Sequence, residues 1–197
     1  MATPSDTIER HPLQPFLPPG ARLLMLGSFP PPRHRWSMDF FYPNRTNMMW
    51  EVFGYVFFRD GQHFVDAERR SFHQQAIEQL LRDKGIAIFD AAQSVVRLQG
   101  NASDKFLQVE EHTHLPGLLE QIPLCRHIAC TGEKSCQIVC DDYRVAMPRI
   151  GQGVELTIAG RRLTLHRLPS TSRAYPLPLQ DKARHYEELF RQAGILS

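Results

Sequence analysis

Three short segments hold most of the side chains that could do chemistry in this 197-residue chain. The first, Gly27-Ser28-Phe29-Pro30, follows the apolar run 22–26 (RLLML). The second, residues 40–50 (FFYPNRTNMMW), interleaves Phe40, Phe41, Tyr42 and Trp50 with Asn44, Arg45 and Asn47. Aromatic faces suit stacking on a planar base, Arg45 suits a phosphate or base contact, and the asparagines supply amide hydrogen bonds. On composition alone, a hydrophobic loop packed under a sheet, with asparagines in turns, is the stronger reading. The third segment, residues 168–174 (LPSTSRA), offers Ser170, Thr171, Ser172 and Arg173, whose hydroxyls and guanidinium could grip phosphates. Capping of the last helix is its alternative role, weakened because that helix begins only near Asp181. Asp90 ends a second apolar run, 86–89 (IAIF). A carboxylate only accepts, so Asp90 would favour a base edge that presents N–H groups, or it would cap a helix.

Other chemistries lack their signatures. The chain has no G-x-G-x-x-G loop, Walker loop, H-E-x-x-H or G-x-S-x-G elbow. His112 and His114 are the one close histidine pair and read as a solvated loop. Cys125, Cys130, Cys136 and Cys140 contain no C-x-x-C pair and read as buried free thiols. No metal or cofactor is expected.

The elements that must position these segments can be read from hydrophobic periodicity. Strands are expected at 22–26, 86–89, 127–130 and 163–167. A hairpin partner at 154–158 is joined to the last of these through Ala159-Gly160. Helices are expected over 47–58, from a cap at Asp66 to Asp83, over 113–121, 133–141 and 181–192, with Gly85 stopping the second. Short apolar strands alternating with helices imply a three-layer α/β/α sandwich around a short, mainly parallel four-stranded central sheet. In such sheets ligands bind beyond the carboxyl ends of the strands, and all the polar clusters fall there.

Apolar residues make up 42% and charged residues 22%, which fits a soluble globular protein. A net charge of +2 leaves the partner open, because a nucleic-acid enzyme needs a local basic patch rather than a large total. No run approaches the ~18 apolar residues of a membrane span. The N-terminus lacks a signal-peptide core, so the expectation is an intracellular protein, cytoplasmic if bacterial. Residues 1–20 are Pro-rich and read as a loosely attached arm, and residues 21–197 as one domain.

Five landmarks in order (Leu26-Gly-Ser-Phe-Pro, FFYPNRTNMMW, IAIFDAAQSVVR, CTGEKS and LPSTSRA) resemble those of hypoxanthine-DNA glycosylases, a branch of the uracil-DNA glycosylase superfamily. The resemblance spans about residues 22 to 190. It implies a doubly wound sandwich with a four-stranded sheet. It also implies a monomeric, cofactor-independent enzyme that removes a deaminated base from DNA. In that branch an aromatic run precedes His-Pro-Gln-Asn, then an aromatic residue and Trp, and the Asn carries catalysis. Aligning Phe40 and Trp50 places that residue at Asn47. Pro43-Asn44-Arg45-Thr46 stands where Gly-His-Pro-Gln is usual, which leaves Asn44 as a second candidate. Relatives elsewhere in the superfamily place a polar catalytic residue directly after the first strand. Here Ser28-Phe29-Pro30 occupies that place, so the usual water activator is missing. Asp90 matches the residue that hydrogen-bonds the flipped base. LPSTSRA matches the phosphate-gripping and duplex-wedging motif, with Leu168 where many relatives carry His or Asn.

The resemblance therefore assigns catalysis to Asn47 and the base pocket to Gly27, Ser28, Phe29, Phe41, Tyr42, Asn44 and Asp90. DNA contacts fall to Arg45, Ser170, Thr171, Ser172, Arg173 and Tyr175. No lysine is placed for a Schiff base, which implies hydrolysis without strand cleavage. The competing readings are a non-catalytic nucleic-acid or nucleobase binder on the same fold, and a nucleoside or nucleotide hydrolase.

Overall fold

The computed structural model describes residues 7–99 and 103–197. In chain order the strands are β1 (Glu9–Arg10), β2 (Leu23–Gly27), β3 (Val65–Asp66), β4 (Ser71–Phe72), β5 (Ile86–Asp90), β6 (Ala92–Arg97), β7 (Leu107–His112), β8 (His127–Cys130), β9 (Gly153–Ile158) and β10 (Arg161–Arg167). The helices are α1 (Met49–Phe58), α2 (Gln74–Lys84), α3 (Leu115–Gln121), α4 (Glu133–Tyr143) and α5 (Leu179–Gln192).

The central sheet has the order β5-β2-β8-β10-β9. The first four strands are parallel and β9 runs antiparallel to β10, adding a fifth strand to the four expected. Every residue of β2 and β5 is buried, as their unbroken apolar runs require when both faces of a parallel sheet are covered. Covering both faces of such a sheet gives the expected α/β/α layering. On one side α1 packs against α5 through Phe53, Phe57 and Phe190, with ring centroids 5.3–5.4 Å apart for the two contacts to Phe190. The chain leaves β2 toward β5 on one flank and returns to β8 on the other. The crevice beyond β2 and β8 is thus the switch point where such sheets bind ligands.

The segment that its prolines suggest is a loose arm is, from Glu9 onward, built into the fold. Glu9 and Arg10 pair with β6, and Phe16 exchanges two backbone hydrogen bonds with Ile88. The His11 ring is buried among Phe29, Phe41 and Phe89. Prolines set the extended backbone that such edge pairing needs, and they do not oppose it. Residues 1–6 lie outside the described residues.

Two further differences from the sequence expectation have local causes. Asp66 does not cap a helix; its Oδ1 accepts the Arg69 N–H at 3.0 Å inside the β3–β4 turn, and α2 begins only at Gln74. The segment after Asp90 forms β6, which with β1 and β7 makes a separate three-stranded sheet. Its Ala92, Ser94, Val95 and Val96 carry no clean alternation, because both faces of β6 are largely covered.

Gly85 ends α2 in the left-handed conformation, φ 68°. A Cβ there would lie 2.7 Å from the Gly20 carbonyl oxygen. Gly85→Ala is therefore expected to cost at least about 1–2 kcal/mol from the backbone conformation alone. The check is the urea unfolding midpoint, which should fall without a change in slope.

Candidate active site

A cavity of about 480 Å³ opens where β2, β5, β8 and β10 end. Its wall includes Gly27, Ser28, Phe29, Phe41, Tyr42, Asn44, Asn47, Asp90, Ser170, Thr171 and Ser172. Segments far apart in sequence are thus gathered at one crevice, within the volume range of small-ligand sites.

The floor is set by register. Gly27 and Asp90 are paired neighbours on β2 and β5. A Cβ on Gly27 would lie 2.3 Å from Asp90 Oδ1 and 3.0 Å from the Tyr42 hydroxyl. Only glycine lets the carboxylate and the phenol approach the strand end this closely. Asp90 is held on two further sides: the His11 Nε2–H donates to Oδ2 at 2.8 Å, and the Thr113 hydroxyl donates to the Asp90 carbonyl at 2.6 Å. His11 Nδ1 lies 3.1–3.2 Å from the backbone of Leu13, which fixes the ring. Sequence reasoning missed His11, because a histidine in a Pro-rich terminus carries no local signal of a partner 79 residues away.

Tyr42 sits with φ 51°, a strained conformation for an aromatic residue. The Thr131 hydroxyl, from the end of β8, reaches the Leu26 carbonyl at 3.3 Å, so Tyr42 donates to Thr131 at 2.7 Å. Burial, then the nearby Asp90 charge, pushes the Tyr42 phenol well above its usual range and keeps it a protonated donor.

The asparagines are oriented by the backbone. Asn47 Oδ1 accepts the Met49 N–H at 2.9 Å at the start of α1. Asn44 Oδ1 accepts both the N–H and the hydroxyl of Thr46 at 3.0 Å. Each oxygen thus has a partner, and each amide keeps its NH₂ donors in a residue that lines the cavity. Asn47 also forms a β-bridge with Ser172, and the Met48 N–H donates to the Thr171 carbonyl at 2.8 Å. The second and third sequence segments are therefore one structure. Buried Lys182 secures it from α5, donating to the Ser172 carbonyl at 2.7 Å.

The third segment is more internally bonded than its hydroxyl content suggests. Ser170 Oγ accepts the Ser172 N–H and Ser172 Oγ accepts the Ala174 N–H, at 3.1 and 3.2 Å. Each hydroxyl keeps its own hydrogen for an outside acceptor. The Thr171 side chain is buried, which makes it a poor candidate for reaching DNA. Arg173 is exposed and pairs with Glu51 at 3.0 Å. Half-buried Tyr175 packs near the Lys182 ammonium, 5.6 Å from the ring centre. Arg45 is not in the cavity wall: it donates to the Ser71 carbonyl at 3.1 Å and covers the Phe72 ring. A strand pair formed by β3 and β4 captures it, a partner the sequence pattern does not show.

Among the cleft residues the sequence reading did not single out are Arg35, Asp104, Lys105 and Thr131. Asp104 enters from the β6–β7 connection and accepts a hydrogen bond from the Ser28 hydroxyl at 2.5 Å. A carboxylate thus stands beside the position after β2 where the sequence shows none. The four cysteines are free and buried. Among the described residues no group of three His, Cys, Asp or Glu side chains is arranged to hold a metal ion.

No protein-family model matches the chain, and no curated protein matches it in sequence. Its structure is similar to the solution structure of a candidate uracil DNA glycosylase from Methanosarcina acetivorans. The TM-score is 0.60 with 20% identity, over 95% of this chain and 99% of that one. At this identity the likeness establishes the fold: the chain has a uracil-DNA glycosylase-like architecture.

The two cleft glycines give opposite expectations. Gly27→Ala should lower stability by more than about 1 kcal/mol, because the methyl group displaces a buried carboxylate from its partners. Gly132→Ala meets nothing within 4 Å and should leave the thermal midpoint unchanged. Differential scanning calorimetry of the two variants checks both outcomes.

Proposed function

We propose that this protein is a DNA glycosylase that hydrolyses the N-glycosidic bond of a deaminated base, such as hypoxanthine, xanthine or uracil, flipped out of the duplex. The observation that carries the reading is that a buried carboxylate, Asp90, and an anchored amide, Asn47, line one cavity that aromatic side chains also wall. The fold it shares with the archaeal protein supports the same reading.

The geometry gives each group a role. Hydrolysis of this bond passes through an oxocarbenium-like sugar and an anionic leaving base. The protein must hold the extruded base, stabilise the developing anion and place a water. Phe29 and Phe41 offer ring surfaces, and Tyr42 closes the pocket. Asp90 accepts from N–H groups on the base edge. Because the Asn47 oxygen is bound to the Met49 N–H, its NH₂ group serves the developing anion. Ser170 and Ser172 donate hydroxyl hydrogens to phosphate, and Arg173 with Tyr175 enters the vacated stack after Arg173 leaves Glu51. The reaction needs no metal or redox cofactor, and the protein acts as a monomer that leaves the strand uncut.

A non-catalytic base binder is the second reading, favoured by Ser28 standing directly after β2 in place of a carboxylate. A panel of duplexes, each with one deaminated base, separates the two. With alkali after incubation, the wild type should yield cleaved strand from at least one duplex. Without alkali it should yield none, which also tests whether Lys105 supports strand cleavage. Asn47→Ala should lose about 10²–10³ in single-turnover rate, the cost of one preorganised donor, and keep its DNA affinity. Asn44→Ala should lose less. If Asn44→Ala abolishes release and Asn47→Ala does not, Asn44 is the key amide.

Affinity for duplex DNA should fall with salt, with a log–log slope of about −0.9 per phosphate neutralised. Fluorescence anisotropy across a salt series measures it, and binding indifferent to salt would argue against a DNA substrate.

A further inference from the structure

Hydrolysis requires a group that takes a proton from water, and the cleft can be searched for one. Its acidic side chains, among the described residues, are Asp90 and Asp104. Asp90 has Oδ2 committed to His11 and Oδ1 packed on Gly27, and in the proposed function it faces the base. Asn44 and Asn47 are amides, too weakly basic to take a proton from water, and their oxygens already accept backbone N–H groups. Asp104 differs from all three. It stands in the 3₁₀ turn Asp104–Phe106 on the β6–β7 connection, and the Ser28 hydroxyl fixes its Oδ1. Its Oδ2 accepts no hydrogen bond among the described residues.

We propose that Asp104 is the general base of this site, with Ser28 as its positioning residue; the assignment rests on the glycosylase reading. Water attacks C1′ of the flipped nucleotide as the C1′–N bond breaks. The bond pair leaves with the base, whose anion is held by the Asn47 NH₂ group. Asp104 Oδ2 takes the water proton and later returns it through solvent to the released base. Water and nucleotide thus become an abasic sugar hydroxyl and a protonated free base, with no other reactant.

The surroundings suit the role. Although Asp104 keeps solvent exposure, the protein packed around it raises its carboxyl pKa. The Ser28 hydrogen bond opposes that rise, Asp90 from β5 adds to it, and Lys134 from α4 and Arg97 from β6 oppose it. A raised pKa makes a stronger base while the group is ionised. The neighbouring Lys105 ammonium lies 5.6 Å from the Phe106 ring centre.

The test is the pH profile of single-turnover base release on whichever duplex of the panel the wild type cleaves best. The wild-type rate should fall as pH drops through the Asp104 pKa. Asp104→Asn should lose about 10²–10⁴-fold and lose that acid limb while keeping DNA affinity. Asp104→Glu should recover part of the rate together with the limb. Ser28→Ala removes a hydrogen bond that lowers the pKa, so its limb should move to higher pH, which a merely structural contact would not produce. An active Asp104→Asn with its acid limb intact would overturn the assignment and leave the glycosylase reading standing. A wild type that releases no base from any duplex would overturn both. If Asp104→Asn fails to fold by circular dichroism, the Ser28→Ala limb decides: a shift supports the role and an unmoved limb refutes it.

Discussion

The close approach of Asp90 to Gly27 organises this molecule. Two buried parallel strands end side by side, and the carboxylate of one lies where a side chain of the other would be. Burying a carboxylate is costly unless its lone pairs are satisfied, so the surrounding structure is arranged around that need. His11 meets it from the N-terminal segment, which must therefore cross the sheet edge and pair with β6 and β5. Thr113 fixes the same residue's carbonyl, and so ties down the chain between β7 and α3. The N-terminal segment and the glycine at the end of β2 thus meet at one buried carboxylate, and the second sheet begins two residues after it.

A second set of contacts joins the remaining walls of the cleft. Tyr42, in a left-handed backbone conformation, hydrogen-bonds to Thr131 across the crevice, and the Trp50 indole N–H donates to the Phe41 carbonyl at 3.1 Å. Such a conformation persists only when its surroundings over-determine it, and here a buried indole and a half-buried phenol do so. The bridge from Asn47 to Ser172 then couples the amide to the hydroxyl loop, with Lys182 beneath. In the proposed reaction, the Met49 N–H hydrogen bond to its oxygen preorganises the Asn47 amide toward the developing charge.

Much of this was legible in the sequence. The runs LLML and IAIF read as buried strands and Gly85 as a helix stop, and Gly27, Asp90, Asn47 and Ser170 fall where such sheets bind ligands. What the sequence hid was long-range. Arg45 looks available for phosphate, yet a two-residue strand pair takes it. His11 and Asp104 look like a terminal and a loop residue, since neither lies on a periodic element. Their meaning comes from partners 79 and 76 positions away. Thr171 reads as one of three equal hydroxyls, and only packing separates it from Ser170 and Ser172.

The central claim is that this cleft receives an extruded base between a carboxylate acceptor and an amide donor. The most direct measurement is a crystal structure with a duplex whose deaminated nucleotide carries a 2′-fluoro group that blocks hydrolysis. The account predicts the base outside the helix, an N–H of its edge on Asp90, a ring oxygen substituent on the Asn47 NH₂ group, and phosphates on Ser170 and Ser172. A base that remains stacked in the duplex, with the protein contacting DNA through another face, would contradict it.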